Sequence, residues 1–565
     1  MAEEDIIFGK NRHFFGGIEP SDMLTFNASS MYNVEKNIFS IKLECRLPKD
    51  TIIDNQKICT VDGAVIRRRT DRYPTNEFDG ILIADIKEDQ NITDTNVEEG
   101  VTYYYAAYPY SRLGVYNRSK ENKTNAKVVK RQYLFGYDIN LSDPNPETRV
   151  SYPSGVDNTN YTPARMDFET DNGNGAHPFN YGDWPSNAGE KFMPRPCTIN
   201  RETGLVYKYI KEDTSVGHYA DQFVYYEDGT HAGLKNSSGY DVLHMMEWPK
   251  IYTKREEING VYKFRCSDVP EDETWNCWCN YDDNGNIIEH FYISMGAAET
   301  TSFSSISGSK TVFFSYFDDD KGDANEVESF YEIAKNTGPG WSPFRLVDHL
   351  LIQDLLVMMA KTTDLQSAYG YGPSSTSSRS NSPYAKMFYG NCSEEDRENN
   401  VVFGLVNYLT NYRNTEFIDG WLMIRNGDTI IQKIKITGST IDGSSCIGFN
   451  TTGDGYIEVE GTTIPYSSKE KKAYISKMKT TPWGRIPYET EGSSTTYECD
   501  AMYMPSNMTD GNVYIAHKKP NQPNNNSYTG NESTGAVNGG FSVGFSKNDT
   551  SMAGRLSYKP PKKES

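Results

Sequence analysis

The chain has 565 residues, a formal net charge of −20, and 40 tyrosines that lead an aromatic content of 13%. That length exceeds one ordinary core and sets an expectation of about two to four domains. The acidic balance leaves no bulk positive field, so neither nucleic acid nor insertion into an anionic membrane is expected.

Residues 1–24 read as an arm: "FGKNRHFFGGIEPSDM" carries turn residues without a sustained period. The start is acidic where a secretory leader needs basic residues, and no long apolar run follows. Synthesis in the cytoplasm is therefore expected.

From about 25 to 130 the period is two. Phe39, Ile41, Leu43, Cys45 and Leu47 alternate with polar residues, the pattern of a half-buried strand. "GAVIRRRT", "GILIADI" and "VTYYYAAYPYS" continue the series, with turn signals at Asp62-Gly63, Asp79-Gly80 and Glu99-Gly100. A β-sandwich is the expectation. The basic run Lys120, Lys123, Lys127, Lys130 and Arg131 reads as a solvated linker behind it.

A turn-dense, strand-rich region follows over 131–310, with "GLVYKYI", "EWPKIYTK", "GVYKFRC", "CWCNYDDNGNIIEHFYIS" and "KTVFFSYF" read as strands. Asp283-Asn284-Gly285-Asn286 is a hairpin signal, because Asn-Gly accepts positive φ at little cost. Its ligand spacing and lack of a terminal Glu do not fit a calcium loop. Two helices are expected next. One spans about Asp323 to Lys335; the other is capped by Ser342-Pro343 and continues to about Ala360. The second is apolar nearly all round, apart from Arg345, Asp348, His349, Gln353 and Asp354, which marks a core helix. It is too short to span a bilayer. The acidic stretch Asp318, Asp319, Asp320, Asp323, Glu326 and Glu328 is read as a helix start favoured by the dipole, with bound Ca²⁺ as the alternative.

Beyond 365 the chain is rich in Gly, Ser, Thr and Asn. Short strands are expected at "GWLMIRNG", "IIQKIKITG", "GYIEVEG", "NVYIAH", "GFSVGFS" and "AGRLSYK". Nine scattered cysteines form no disulfide framework, and Cys277-Trp278-Cys279 lacks the spacing of a zinc pair, so reduced, buried thiols are expected. Gly540 to Gly544 matches the G-x-S-x-G elbow, but no acid–histidine pair follows Ser542 and the surroundings read as strand. No catalytic residue and no cofactor is assigned.

Several stretches, in order and over nearly the whole chain, resemble tail proteins of phages and prophages of gut Firmicutes. They are the opening "DIIFGKNRHFFGGIEPSDM", "EKFMPRPCTI", "MMEWPKIYTK", "CWCNYDDNGNIIEHFY", "LLIQDLLVMMAKTTD", "WGRIP" and "GRLSYKP". The segment "ITDTNVEEGVTYYYAAYPYSRLGVYN" resembles the end of a fibronectin type III domain, with Val97, Gly100, Tyr103, Tyr105 and Ala107 at the marker positions. The implied fold class is multidomain: an N-terminal all-β fibronectin type III-like sandwich, then a large α+β C-type-lectin-like domain with two helices and long irregular loops. The family's aromatic turn is replaced by "VFGLVNYLTNYRNTEFIDGWLM", with Tyr408, Tyr412 and Trp421, and its Gly-Gly-x-Trp by Gly539-Gly540-Phe541.

The resemblance implies a tail fibre or receptor-binding protein in the virion tail, assembled in the host cytoplasm and released by lysis. It implies a homotrimer, attachment of the N-terminal arm to other tail proteins, and a bacterial cell-surface receptor of glycan or protein. Candidate receptor-binding residues are Tyr503, Tyr514, His517, Asn524, Asn525, Asn526, Tyr528, Asn531, Asn538 and Phe541, whose amides and hydroxyls suit a polar target. A purely structural head or tail decoration and a glycan-cleaving tail spike remain the alternatives.

Overall fold

The computed structural model describes residues 18–166, 179–184, 192–200, 203–211, 225–230, 242–294, 338–365, 368, 415–436, 456–467, 471–493, 495–496, 499, 501–504, 508–511, 513–518, 539–541, 552–553 and 556–561. The expected helix at 323–335, the strand "KTVFFSYF" and the acidic run from Asp318 lie outside them. Strand dominates, and two α-helices are described from end to end: a short turn at Pro146–Arg149 and the Leu/Met-rich helix Leu346–Ala360.

The alternation over 25–130 builds two main sheets, besides a small hairpin of Thr51–Ile53 with Gln56–Cys59. One has three strands in the order Thr25–Asn33, Ile38–Arg46 and Gln90–Asp94. The other has four, in the order Ile81–Ile86, Val61–Arg69, Thr102–Ser111 and Lys123–Lys127. Ile41, Leu43 and Cys45 meet Ile66, Ile86, Tyr105 and Ala107 in the core between them. Two buried hydroxyls are satisfied within this body: Tyr103 Oη accepts the Glu98 backbone N–H at 3.0 Å, and Tyr105 donates to Asp94 at 2.8 Å. Asp94 also holds the buried Arg68 at 2.6 Å.

Two expectations here are corrected. Lys123 to Lys127 form the edge strand of the four-stranded sheet rather than a linker, because their backbone pairs with Thr102 to Ala106. Asp62-Gly63 does not reverse the chain; it sits at a register irregularity inside the strand Val61–Arg69. Residues 18–24 lie on the sandwich, where Asn117 donates to the Pro20 carbonyl and to Asp22, each at 2.9 Å.

The remainder surrounds one large core that runs from Tyr133 to Tyr514 and includes the whole apolar side of the helix, with a smaller cluster around Tyr252, Trp275 and Tyr281 adjoining it at Trp278. A four-stranded sheet takes the order Val150–Ser151, Leu134–Asn140, Val261–Ser267, Tyr252–Ile258. A seven-stranded sheet takes the order Tyr225–Tyr226, Val206–Lys211, Arg195–Asn200, Val242–Pro249, His290–Ser294, Leu556–Tyr558, Trp341–Pro343. Near its C-terminal end the chain thus enters between strands written more than two hundred residues earlier.

Every residue of Leu346–Ala360 is buried, as an all-round apolar helix requires. Its start differs from expectation. Ser342 and Pro343 belong to a strand, since Ser342 pairs with Ser557, and Arg345 occupies the N-cap position without a side-chain cap. His349 is buried, with its ring edge-on to Phe344 at 6.2 Å. The segment Trp278–Asn280, expected as strand, is one turn of 3₁₀ helix. The hairpin turn at Asp283 to Asn286 forms, but it is closed by the single antiparallel bridge Tyr281↔Ile287 rather than by paired strands. Asp282 Oδ1 accepts the N–H groups of Asn284 and Asn286 at 2.9 and 2.8 Å, and Gly285 adopts φ +79°.

Candidate functional site

In the body that follows residue 131, termed the distal domain for its place after the sandwich in the chain, the carboxyl-terminal part forms a sheet of nine strands. Its main path runs Ile457–Glu458, Thr429–Ile434, Thr415–Asn426, Val513–Lys518, Gly539–Phe541, Ala501–Met504, Lys471–Tyr474. The strand Val513–Lys518 pairs antiparallel with Gly539–Phe541, in the register Ala516↔Phe541, His517↔Gly540 and Lys518↔Gly539. Gly539–Phe541 pairs in parallel with Ala501–Met504 through Tyr503↔Gly540. Tyr503 and His517 therefore flank Gly540 in one row across three strands, with Phe541 one step along. Four positions separated by up to 38 residues are gathered at one place in the sheet.

The polar segment begins and ends at this same place. Residues 519–538 read "KPNQPNNNSYTGNESTGAVN", with six asparagines, and they join Lys518 to its cross-strand partner Gly539. Cross-strand partners lie about 5 Å apart. Both ends of the segment are thus fixed a cross-strand spacing apart. Asn524, Asn525, Asn526, Tyr528, Asn531 and Asn538 belong to this segment and lie outside the described residues. For Tyr503, His517 and Phe541 the sheet position is described.

Tyr514 departs from the expectation. Its side chain is 1% exposed and belongs to the core, and its hydroxyl accepts the Thr509 backbone N–H. The ring of Tyr514 supports the sheet from beneath and offers no surface to a partner. Trp421 is likewise a core residue: its indole N–H donates to Gln432 at 3.0 Å, and Gln432 donates to the carbonyls of Thr462 and Pro487.

The helix holds the sheet in place. Asp419 N–H donates to the Phe344 carbonyl at 2.7 Å, just before the helix begins. Gly484 allows the close approach on the other side, where a Cβ would lie 2.6 Å from that of Leu350. The two acids of the helix are both neutralised far along the chain. Lys559 reaches Asp348 at 2.9 Å with both side chains fully buried, and Ser557 donates to the same carboxylate at 3.1 Å. Asp354 receives Arg255 at 2.7 Å and the hydroxyls of Tyr137 and Tyr262 at 2.7 and 2.9 Å. Sequence reasoning marked the helix as buried but did not find these partners, because nothing local to Lys559 or Arg255 points at a residue two hundred or one hundred positions away.

The remaining chemistry is quiet. Cys45, Cys59, Cys197, Cys266, Cys277 and Cys279 are free and buried, and Cys499 is buried beside the Thr363 hydroxyl. Burial pushes the thiols of Cys45 and Cys277 up to about 12, so they stay protonated and are poor nucleophiles. No cluster of His, Cys, Asp or Glu with metal-binding geometry is present among the described residues. None of the described helices is long and apolar enough to cross a membrane. Gly539–Phe541, which overlaps the start of the G-x-S-x-G match, is a strand inside the sheet, and Ser542 to Gly544 lie outside the described residues.

No family model matches the chain, and no curated protein or solved structure shows significant similarity to it.

Proposed function

We propose that the chain is a virion tail fibre or receptor-binding protein that attaches to a bacterial surface through the segment 519–538 and the strand ends that hold it. The observation that carries this reading is the pairing of Lys518 with Gly539 in a sheet that shares its core with the helix. A polar, amide-rich segment fixed at both ends forfeits less entropy on binding than a free tail of the same composition. The order-preserving resemblance to phage tail proteins supports the same reading from the sequence.

On this reading the N-terminal body is a fibronectin type III-like spacer, favoured by its three-on-four strand order and by the Tyr103 hydroxyl bonded to Glu98. The distal body is C-type-lectin-like, favoured by the pairing of Leu556–Tyr558 with His290–Ser294 beside the helix. The arm preceding residue 18 joins other tail proteins, and three copies act together. Weak sites engaged in concert raise avidity on the order of 10²–10⁴. No catalytic step is assigned.

The test is adsorption of purified protein to host cells. Replacing Asn524, Asn525, Asn526, Tyr528 and Asn531 together by alanine is expected to abolish adsorption with the melting profile unchanged. Undiminished adsorption would favour a structural decoration, and release of reducing ends from host glycan would favour a tail spike.

A further inference from the structure

The sandwich does not hang from the distal domain by a tether; the two are bolted together by buried polar bonds. Asn27 donates to the Gly285 carbonyl at 2.8 Å and accepts the Ile287 N–H at 3.2 Å. Tyr252 donates to Ser29 at 3.1 Å, Tyr281 donates to Glu44, and Tyr32 N–H reaches the Pro270 carbonyl at 2.9 Å. Arg131 pairs with Glu271 at the rim.

Beside these bonds lies an open cleft of about 480 Å³, walled on one side by the edge strand Lys123–Lys127 and on the other by Lys250, Tyr252 and Glu289. The volume is that of a small-ligand site. Among the described residues that line it, three lysines (Lys123, Lys127 and Lys250) face two carboxylates (Asp268 and Glu289), a local positive excess in a chain of net charge −20. Glu289 and Lys250 pair with each other at 2.5 Å and so cancel, and Asp268 accepts the backbone N–H groups of Gln132 and Tyr133, which leaves the excess on the edge strand. Lys127 is exposed and makes no ion pair among the described residues.

Lysines on an edge strand commonly guard against aggregation. Here the distal domain already walls that edge and adds a lysine of its own, which a guarding role does not need. Alternate residues of a strand share a face, so Lys123, Asn125 and Lys127 form a cation–amide–cation row with about 13 Å between its ends. Asn125 donates to the Tyr73 hydroxyl at 2.6 Å, and Lys123 lies 5.8 Å from the centre of the same ring. The row thus has an aromatic flank as well as charge and amide donors.

We propose that this cleft is a second binding site, distinct from the distal face, for an acidic saccharide: a hydroxyl-rich chain with carboxylate groups spaced along it. Lys123 and Lys127 take successive anionic groups, Asn125 and the Tyr73 edge take the hydroxyls between them, and Lys250 closes the far wall. The bonded junction keeps both walls at a fixed separation, so the site is formed before the ligand arrives.

The test uses the full-length protein and isothermal titration with three probes: tetragalacturonate, neutral maltotetraose and tetrapolyphosphate. Tetragalacturonate is expected to bind best and to weaken as salt is raised. Lys127→Glu is expected to reduce its affinity about tenfold, and Asn125→Ala to reduce it less, both with an unchanged melting profile. Undiminished binding by Lys127→Glu, no binding of tetragalacturonate, or maltotetraose binding as tightly would overturn the proposal. Tetrapolyphosphate binding as tightly as the sugar would also overturn it, since the hydroxyl contacts would then contribute nothing.

Discussion

The two bodies of this chain solve the problem of burial in different ways. In the sandwich, six of the seven strands of its two main sheets pair with a strand near in sequence or one turn removed, and the core mixes Ile, Leu, Ala and Tyr with the buried ion pair Arg68–Asp94, while a second buried pair, Lys42–Glu44, lies at the junction. In the distal domain the central helix carries two acids, and its partners arrive from the far ends of the region: Arg255 and Tyr137 before it, Lys559 after it. The first is a body whose stability is made of local pairings. The second is held by a few long-range closures, and each closure is consequently a point of failure.

The largest expected effect follows from the last strand. Residues 18–130 expressed alone should unfold cooperatively in urea. Residues 131–555, which lack Leu556–Tyr558 and Lys559, should give no cooperative distal transition, because the seven-stranded sheet loses a strand flanked on both sides and Asp348 loses its cation. A sharp transition from that truncated chain would erase the contrast between the two bodies.

Next comes Lys559→Met in the full chain. It leaves Asp348 buried without its counter-charge, a loss of about 3–5 kcal/mol. The distal transition should move to lower urea while the sandwich transition stays in place. Equal movement of both would show that the bonded junction makes one cooperative unit of the whole.

A somewhat smaller effect is expected inside the sandwich. Ile66 is fully buried between the sheets, and Ile66→Ala should cost about 2–5 kcal/mol through lost contact and a residual cavity. Circular dichroism melting should show that loss in the sandwich transition alone.

The smallest is a pH effect. Glu77 is held below its ordinary range chiefly by hydrogen bonds from Arg118, and Asp79 by Arg72 and the Thr75 backbone. Groups depressed on folding stabilise above their unfolded values, here 4.5 and 3.8, and lose that contribution as pH falls towards the folded ones. The sandwich should therefore melt at lower temperature at pH 3 than at pH 6. Arg118→Gln should narrow the difference; an unchanged difference would remove Glu77 as a cause.

How much of this was legible in the chain can be judged from particular residues. The alternation at Ile41, Leu43 and Cys45 predicted a strand with one buried face, and that face is in the core. The same pattern assigned Lys42 and Glu44 to solvent. They are 6% and 5% exposed, because this strand lies beside the junction, where Glu44 accepts the Tyr281 hydroxyl and pairs with Lys42 at 3.0 Å. Tyr514 had the composition of a contact residue and proved to be a core ring. A tyrosine's sequence carries no mark of which face its strand will bury.

The candidate face divides in the same way. The asparagine-rich stretch and the strands on either side of it were readable from residue type. The neighbouring positions of Tyr503 and His517 across Gly540 were not, since parallel pairing with Ala501–Met504 leaves no local signal. The cleft at the junction was also invisible, because its walls come from residues 123–127 and 250–289, which have no sequence relation to each other.

By itself, then, the sequence determined the elements whose cause is local: strands of period two, the turn at Asn284-Gly285, and a helix too apolar to face water. Tertiary structure alone decided which cation meets Asp348 and Asp354, where the last strand enters, and which tyrosines are hidden. Those outcomes depend on closing loops of one to three hundred residues onto a shared core. The free energy of such closure is spread over many distant contacts rather than written in any short window.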